Sequence, residues 1–548
     1  MSSPLRQVLK NVRASIADHA FELKVLNEAG IVAPMRPDKA IKAGAAFMRW
    51  GASPATGAST AAIHYPDEIA VIDERGSLTF GQVQRRSNAL AHAFAEMGIG
   101  YGDGVGIMCR NHRGFVETTL AAAKLGASAL YLNTAFAGPQ LAEVTRREAP
   151  KVLVYDEEFA DLLAGVDPAV TRVVGWSEAP EGGAPGELTL DLLIAGASEA
   201  DLDPPPDRPR FVILTSGTTG TPKGAQRKSP DGLFGLAALI DRIPFRSRQT
   251  MMVAAPLFHS WGFFHFILSL PTASTLVLKR RFDPEDTLAA VQQHRAQVLG
   301  AVPVMIQRIL ALPEETLSKY DLSSLRITSL SGSALPGELA TTWMDRFGDN
   351  VYNLYGSTEV AYATVATPAD LRAASGTAGR PPRGTVVRLY DESGEEVPQG
   401  AVGRIFAGNE MSFEGYTGGG GKEIIDGLLS TGDMGRFDAD GRLFVDGRDD
   451  DMIVSGGENV FPREVEDLLA DHEEIEEAAV IGVDDEEFGQ RLKAFVVARN
   501  GGLGEDAIKE YVKENLARYK VPRDVVFLGE LPRNATGKVL KRELREHT

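Results

Sequence analysis

Cysteine is nearly absent from this chain. Among 548 residues there is one, Cys109, at the end of the apolar stretch 105–108. That excludes an intramolecular disulfide and a cysteine-rich metal site, and it fits a reducing compartment. Long apolar runs are missing too. No stretch of about 18 apolar residues occurs, so no transmembrane helix is expected. Residues 5–28 carry Asp18, Glu22 and Glu28, which excludes a secretory hydrophobic core and reads as an amphipathic helix. The last residues are Glu-His-Thr rather than the peroxisomal Ser-Lys-Leu, leaving the cytosol as the default location. Basic residues are in deficit, with 57 Lys and Arg against 75 Asp and Glu and a net charge of −18. A broad basic surface for nucleic acid is therefore not expected. There is no G-x-S-x-G nucleophile elbow, and His472-Glu473-Glu474-Ile475-Glu476 lacks the second histidine of a zinc helix. No internal repeat is found.

What is present is an ordinary globular composition, 43% hydrophobic and 24% charged, long enough for three or four domain-sized units or one large composite domain with a small one. Short apolar strands alternate with helical segments: a strand at 105–108, a helix at 115–125, a strand at 128–132, and later strands at 250–254, 275–278 and 298–302. This alternation predicts an α/β fold of layered, largely buried sheets. Residues 175–209, with Pro180, Pro185 and the stretch DLDPPPDRP, read as an exposed connection. Around Gly447-Arg448-Asp449-Asp450-Asp451 the texture changes to a compact pattern. It predicts a helix at 462–470, strands at 477–483 and 492–499, a helix at 505–516 and a strand at 525–528. About a hundred residues can bury their own core, so a boundary is placed near 449, giving domains 1–449 and 450–548.

The most informative segment is TSGTTGTPKG at 215–224, which follows the apolar run 211–214. A buried strand that empties into glycines and hydroxyl residues is suited to holding phosphate. Gly217, Gly220 and Gly224 let backbone N–H groups turn inward, Thr215, Ser216, Thr218, Thr219 and Thr221 add hydroxyls, and Lys223 adds a cation. It is not the GxxxxGK[ST] loop, because Pro222 occupies the place of the second glycine. A flexible linker could share the composition, but it would need neither the strand before it nor the Pro-Lys-Gly after it.

The decapeptide resembles the signature loop of the adenylate-forming superfamily, which includes acyl-CoA synthetases, amino-acid-adenylating domains and luciferases. The resemblance runs from about Leu78-Thr79-Phe80 to Lys538, with the nucleotide motifs in family order. It implies a large N-terminal domain that binds ATP through this loop, and a small mobile α+β C-terminal domain. Tyr355-Gly356-Ser357-Thr358-Glu359 follows a strand at 351–354. On local grounds Glu359 could hold Mg²⁺ through oxygen or simply favour a helix N-terminus. The resemblance makes Tyr355 the adenine-stacking ring, Thr358 a hydroxyl near the α-phosphate and Glu359 the metal carboxylate. Gly332-Ser333-Ala334, within 331–336, resembles the second adenine-pocket loop. Asp433, in Ser430-Thr431-Gly432-Asp433, matches the ribose carboxylate, and Arg448 a second ribose contact. Alone, the tripeptide would be a turn.

His259 matches a position beside the acyl pocket. Amino-acid-activating relatives usually carry an aspartate next to their phenylalanine. Here His259 follows Phe258, leaving no fixed counter-charge for an α-ammonium, which would be costly to bury unpaired. The implied substrate is a carboxylate without an α-amino group. Ser455-Gly456-Gly457 matches the loop beside the pantetheine tunnel, Asp450 the hinge, and Lys538, in LPRNATGK, the catalytic lysine of the small domain. The run Gly418–Gly421 with Lys422 is read as a flexible loop. ATP, the acid and coenzyme A are all anions, so the site must be locally positive despite the net charge. The resemblance implies an ATP- and Mg²⁺-dependent acyl-CoA synthetase, closest to medium- to long-chain fatty acid ligases. The alternatives are loading of a carrier protein, another non-amino carboxylate such as an aryl acid, luciferase-type oxidation and, of another class, a nucleotide-binding scaffold without turnover, against which Lys538, Glu359 and Thr358 speak. Chain length and assembly stay open, a homodimer included.

Overall fold

The computed structural model describes every residue except 1–16, 33–35, 179–186, 208–210, 216–222, 228–231, 412, 417–420, 452, 456–457, 486–488, 500–502, 517–519, 535–536 and 547–548. Three helices come first: α1 (17–28), α2 (Pro37–Trp50) and α3 (Pro54–His64). The part of the expected 5–28 helix before residue 17 lies outside the described residues.

Two sheets carry the large lobe. The first has eight strands in the order Thr364–Ala366, Val351–Tyr355, Ile327–Leu330, Val298–Ala301, Thr250–Val253, Thr275–Leu278, Ile69–Asp73 and Gly76–Thr79. Its inner pairs are parallel and only the two ends are antiparallel. The second has seven strands in the order Phe413–Tyr416, Lys223–Arg227, Phe211–Thr215, Ser128–Tyr131, Gly104–Met108, Pro150–Asp156 and Thr171–Trp176. Strands buried on both faces need apolar residues throughout, which is why they read as short unbroken runs. Met251, Met252 and Val253, for example, are all buried. Helices cover the sheets, and several begin on side-chain caps. Thr79 Oγ1 accepts from the Gln82 N–H while Gln82 returns a bond to the Thr79 N–H, starting Phe80–Glu96.

A third, antiparallel sheet is built on Leu428–Phe437, flanked by Gly403–Gly408 and Leu443–Arg448. Asp449–Asp451 then make one 3₁₀ turn, and every later strand belongs to a fourth sheet. There Ile475–Asp485 and Gly489–Ala498 pair antiparallel, with helices Pro462–Ala470 and Glu505–Asn515 against them. The fold is thus mixed α/β with a small α+β C-terminal part.

One expectation fails. The 175–209 connection is not simply exposed. Its Leu190–Ala195 segment is a helix that buries Leu190 and Ile194, spaced i, i+4, and Arg75 and Arg86 tie Asp191 to the lobe. Apolar spacing outweighs proline content there. The 115–125 helix also starts earlier, at Arg113, because His112 Nδ1 accepts from the Gly114 N–H at 3.0 Å. Among the described residues, no helix is long and apolar enough to cross a membrane.

Candidate active site

Four neighbouring parallel strands of the eight-stranded sheet end side by side: Val351–Tyr355, Ile327–Leu330, Val298–Ala301 and Thr250–Val253. Strands about 4.8 Å apart bring the residues just beyond their carboxyl ends together, the usual place for ligands on open parallel sheets. Those residues are Tyr355–Glu359, Ser331–Ala334, Val302–Val304 and, a short loop later, His259. They are spread over about a hundred residues of sequence, from 259 to 359, yet sheet order makes them one rim.

Tyr355 closes one side. Its hydroxyl donates to Asp433 Oδ2 at 2.6 Å and lies 3.1 Å from Thr431 Oγ1, leaving the ring faces without a polar role. Asp433 is paired in register with Arg448, whose Nη1 donates to its Oδ1 at 3.4 Å. The Thr-Gly-Asp segment is therefore not a turn but the middle of a ten-residue strand. Gly432 is required there: its φ is +79°, and a Cβ would lie 3.0 Å from Arg448 Nη2. Burial raises the Asp433 carboxyl above its ordinary range, opposed by the Tyr355 hydroxyl and by the charges of Arg448, Lys538 and Lys422. The same burial, with the Asp433 charge beside it, pushes the Tyr355 hydroxyl well up.

Beyond Tyr355 the chain folds back sharply. A Cβ on Gly356 would sit 2.3 Å from Ala361 O, so only glycine fits. No helix starts here, which removes the helix-dipole explanation for Glu359. The turn is held by Ser357 Oγ, which accepts from the Glu359 and Val360 N–H groups at 3.2 and 3.3 Å. Glu359 is buried, and its Oε1 accepts from Tyr416 Oη at 2.5 Å. Burial alone would raise its carboxyl. The Tyr416 and Ser357 bonds and the Lys422 charge outweigh that and hold it below the ordinary value. A buried carboxylate kept anionic fits an oxygen-preferring divalent cation such as Mg²⁺.

Thr358 Oγ1 lies 3.3 Å from Ser260 Oγ, the first residue of the helix Ser260–Ser269. His259 caps that helix, with its ring 4.5 Å from Phe258. The ring is half-buried, but Nε2 is enclosed and has no hydrogen-bond partner among the described residues. Burial lowers its pKa to about 4, so the imidazole is neutral near pH 7. Gly332 has φ +95° and, like Ala334, is exposed, leaving backbone open at the rim with Ser333 between them.

The C-terminal lobe reaches this rim. Asn534 Oδ1 accepts from the Lys538 N–H and Asn534 N–H donates to Lys538 O, both at 2.9 Å, forming a closed loop. Gly537, next to Lys538 and with φ +77°, lies so close to the large lobe that a Cβ would be 2.2 Å from Val304 Cγ1. Lys538 is exposed, and its charge acts on the Asp433 carboxyl. Lys538 and the Asp433 rim thus share one cleft.

Other expected residues are only partly visible. The backbone register sets Lys223 opposite Thr215 across an antiparallel pair. Ser216, Gly217, Thr218, Thr219 and Gly220 lie outside the described residues, as do Gly456 and Gly457. Ser455 pairs with Glu458, and Asp450 lies in the 3₁₀ turn between lobes. Two residues escaped sequence reading. Tyr416 gave no signal, since its role comes from strand Phe413–Tyr416 pairing with Lys223–Arg227. Lys422, which the sequence reads with its glycine run as a flexible loop, carries a charge that acts on both Glu359 and Asp433. The glycines before it were the available clue.

The family model described as AMP-binding enzyme matches residues 59–417, and that described as AMP-binding enzyme C-terminal domain matches 464–538. A feruloyl-CoA synthase of Amycolatopsis sp is 34% identical over 494 residues, 88% of this chain and 96% of that protein. The long-chain-fatty-acid–CoA ligase FadD13 of Mycobacterium tuberculosis is 30% identical, covering 86% of this chain and 93% of its own. Among solved structures, the o-succinylbenzoate CoA synthetase of Bacillus subtilis with its acyl-adenylate intermediate has a TM-score of 0.77 at 26% identity. It covers 89% of this chain and 97% of that one.

Proposed function

Because the chain belongs to the AMP-binding enzymes and is an AMP-forming acid–thiol ligase using ATP and coenzyme A, we propose that it activates a carboxylic acid lacking an α-amino group and passes the acyl group to the CoA thiol. The acid proposed first is a medium- to long-chain fatty acid; the FadD13 relative is named for the long-chain class. A second reading, an aryl acid, is favoured by one observation beside His259. Trp261 and Phe264 stack at 5.2 Å and 7°, and Trp261 Nε1 donates to Ala301 O and Ser329 O at 3.0 and 3.1 Å. An aromatic pair held flat and beginning two residues after His259 suits a planar tail, and the feruloyl-CoA synthase relative supports that reading.

In this reading the 215–224 loop carries the phosphates, Tyr355 and residues 332–334 the adenine, and Asp433 with Arg448 the ribose. Glu359 is the residue that would hold Mg²⁺, which when bound neutralises phosphate charge. The substrate carboxylate attacks the α-phosphorus and pyrophosphate leaves. Lys538 stabilises the charge that builds on the phosphoryl oxygens in a site where water is scarce. Thr358 supplies a hydroxyl to the same oxygens. His259, neutral, meets the carboxylate as a hydrogen-bonding group rather than a cation. The acyl-adenylate is a mixed anhydride. The thiol attacks its carbonyl carbon, AMP departs with the bonding pair, and the thioester forms.

For the second half, the lobe from 450 onward turns about Asp450, withdrawing Lys538 and bringing Gly456-Gly457 to the thiol path. Such rigid-lobe rotation is a hinge motion. The observation that carries the reading is the seating of the Asn534–Lys538 loop on Val304, which sets Lys538 at the Asp433 rim. Pyrophosphate release and thioester formation, followed for a panel of acids with and without CoA, test it. Acyl transfer only to an added carrier protein would favour the carrier-loading alternative. Failure of every acid to support ATP–pyrophosphate exchange would remove the adenylation step.

A further inference from the structure

The loop that carries Lys538 is joined to the small lobe by a neck and by a strut. The neck is apolar contact and backbone pairing. Leu531 before the loop and Leu544 after it are buried in one cluster with Phe495 and Val497, and the Leu540 N–H donates to Pro532 O at 2.8 Å. Lys541 pairs with Glu466 at 2.8 Å just beyond. These contacts fix where the loop leaves the lobe. The direction of the lysine depends on something else, the peptide group that joins Gly537 to Lys538. Both polar atoms of that group are taken by side chains. Its N–H donates to Asn534 Oδ1 at 2.9 Å, and its carbonyl, Gly537 O, accepts from Arg533 Nη1. A peptide is planar, so holding its two ends stops the unit from turning about its long axis and thereby sets the Cα–Cβ direction of Lys538. Glycine at 537, with φ +77°, is the residue beside which such a peptide would otherwise flip most readily.

Arg533 is itself anchored. Its Nη2 pairs with Glu477 Oε1 at 2.8 Å, and the two side chains are only 20% and 17% exposed. Glu477 stands on the strand Ile475–Asp485, which pairs with Gly489–Ala498. A guanidinium presents its N–H groups in fixed directions within one plane, so the bond to Glu477 aims Nη1 at Gly537 O. We propose that Arg533, held by Glu477, is a positioning residue for Lys538. This rests on the reading of Lys538 given above and adds to it the group that aims the lysine. Arg533 acts through the lysine rather than on the nucleotide, because Nη1 and Nη2 are both engaged inside the small lobe. Glu477, Arg533 and Gly537 all lie beyond Asp450, so the strut travels with the lobe and the loop keeps its shape as the lobe turns.

The test compares the full-length wild type with Arg533→Ala, Lys538→Ala and the double variant. Each is followed by ATP–pyrophosphate exchange with an acid the wild type accepts, and by thioester formation from supplied acyl-AMP and CoA. Arg533→Ala should lower kcat of exchange about thirtyfold and leave KM for ATP within about twofold, since the lysine is misaimed while the nucleotide contacts remain. Thioester formation should hold within about twofold. Once Lys538 is replaced, Arg533→Ala should cost no more than about a further twofold, because residues acting as one unit are not additive. Glu477→Gln keeps an acceptor for Arg533 and should lose about threefold, against about tenfold for Glu477→Ala. Arg533→Lys keeps the charge but cannot span both acceptors; it should lose about tenfold, and it serves if the alanine variant is unstable. A further loss of about thirtyfold in the Lys538→Ala background, or equal losses in both half-reactions, overturns the proposal, since Arg533 would then support the small lobe as a whole. Exchange that Lys538→Ala leaves unchanged would remove the role of the lysine, and this proposal with it.

Discussion

Replacing Gly537 with alanine isolates the contact that seats the loop carrying Lys538. Gly537 has φ +77°, and a Cβ there would lie 2.2 Å from Val304 Cγ1. Carbon atoms in contact sit about 3.8 Å apart, so the loop would have to retreat by roughly 1.5 Å. A left-handed alanine costs about 1 kcal/mol. Forcing extra volume into a packed contact adds about 2 kcal/mol. Together they disfavour the seated loop by about 3 kcal/mol, on the order of a hundredfold in adenylation rate. Because Val304 belongs to the large lobe, the packing share of that penalty applies only while Lys538 faces the cleft. ATP–pyrophosphate exchange should therefore fall about a hundredfold, while thioester formation from supplied acyl-AMP and CoA should hold within about twofold. Adding Val304→Ala removes the obstructing methyl, and the double variant should recover all but about tenfold of the exchange activity. Equal loss in both half-reactions, or no rescue by Val304→Ala, would refute the seating of Lys538 derived from this contact.

Lys538→Ala should cut exchange by about a hundred- to a thousandfold and spare thiolysis of acyl-AMP; a parallel loss in both would count against a lysine used in one half only. Tyr355→Phe removes the 2.6 Å donor to Asp433, and KM for ATP should rise about tenfold with kcat little changed. An unchanged KM would separate this pair from ribose binding. His265 is fully buried, donates through Nδ1 to Trp261 O at 2.8 Å, and has its pKa lowered by burial to about 4. Its neutral form contributes stability that is complete above the unfolded pKa near 6.5 and is lost as pH falls toward 4. In that window the unfolded chain binds the extra proton, and the slope is about 1.4 kcal/mol per pH unit. Urea midpoints at pH 7.5, 6 and 5 should fall less steeply for His265→Gln than for the wild type. Identical slopes would mean the ring is not neutral in the fold.

What the amino-acid sequence alone determined is local in origin. The strand at 275–278 and the helix at 462–470 match Thr275–Leu278 and Pro462–Ala470 because alternating or unbroken apolar runs state their own period. The order of the nucleotide motifs is likewise written in consecutive residues. What only the tertiary structure decided depends on pairs far apart in the chain. Tyr416 meets Glu359 because one strand is laid beside another, and Lys422 acts on the site although its glycine run looks like any loop. Thr431-Gly432-Asp433 reads as a turn until its pairing with Leu443–Arg448 makes it a strand. Helix α2 has no counterpart in the sequence reading, and only packing against α3 and Ala123 shows that Ala46 and Trp50 face inward. Backbone propensity and hydrophobic period act over a few residues. The electrostatics of Asp433 and the fit of Gly537 on Val304 arise where separate segments meet, and no local pattern encodes that meeting.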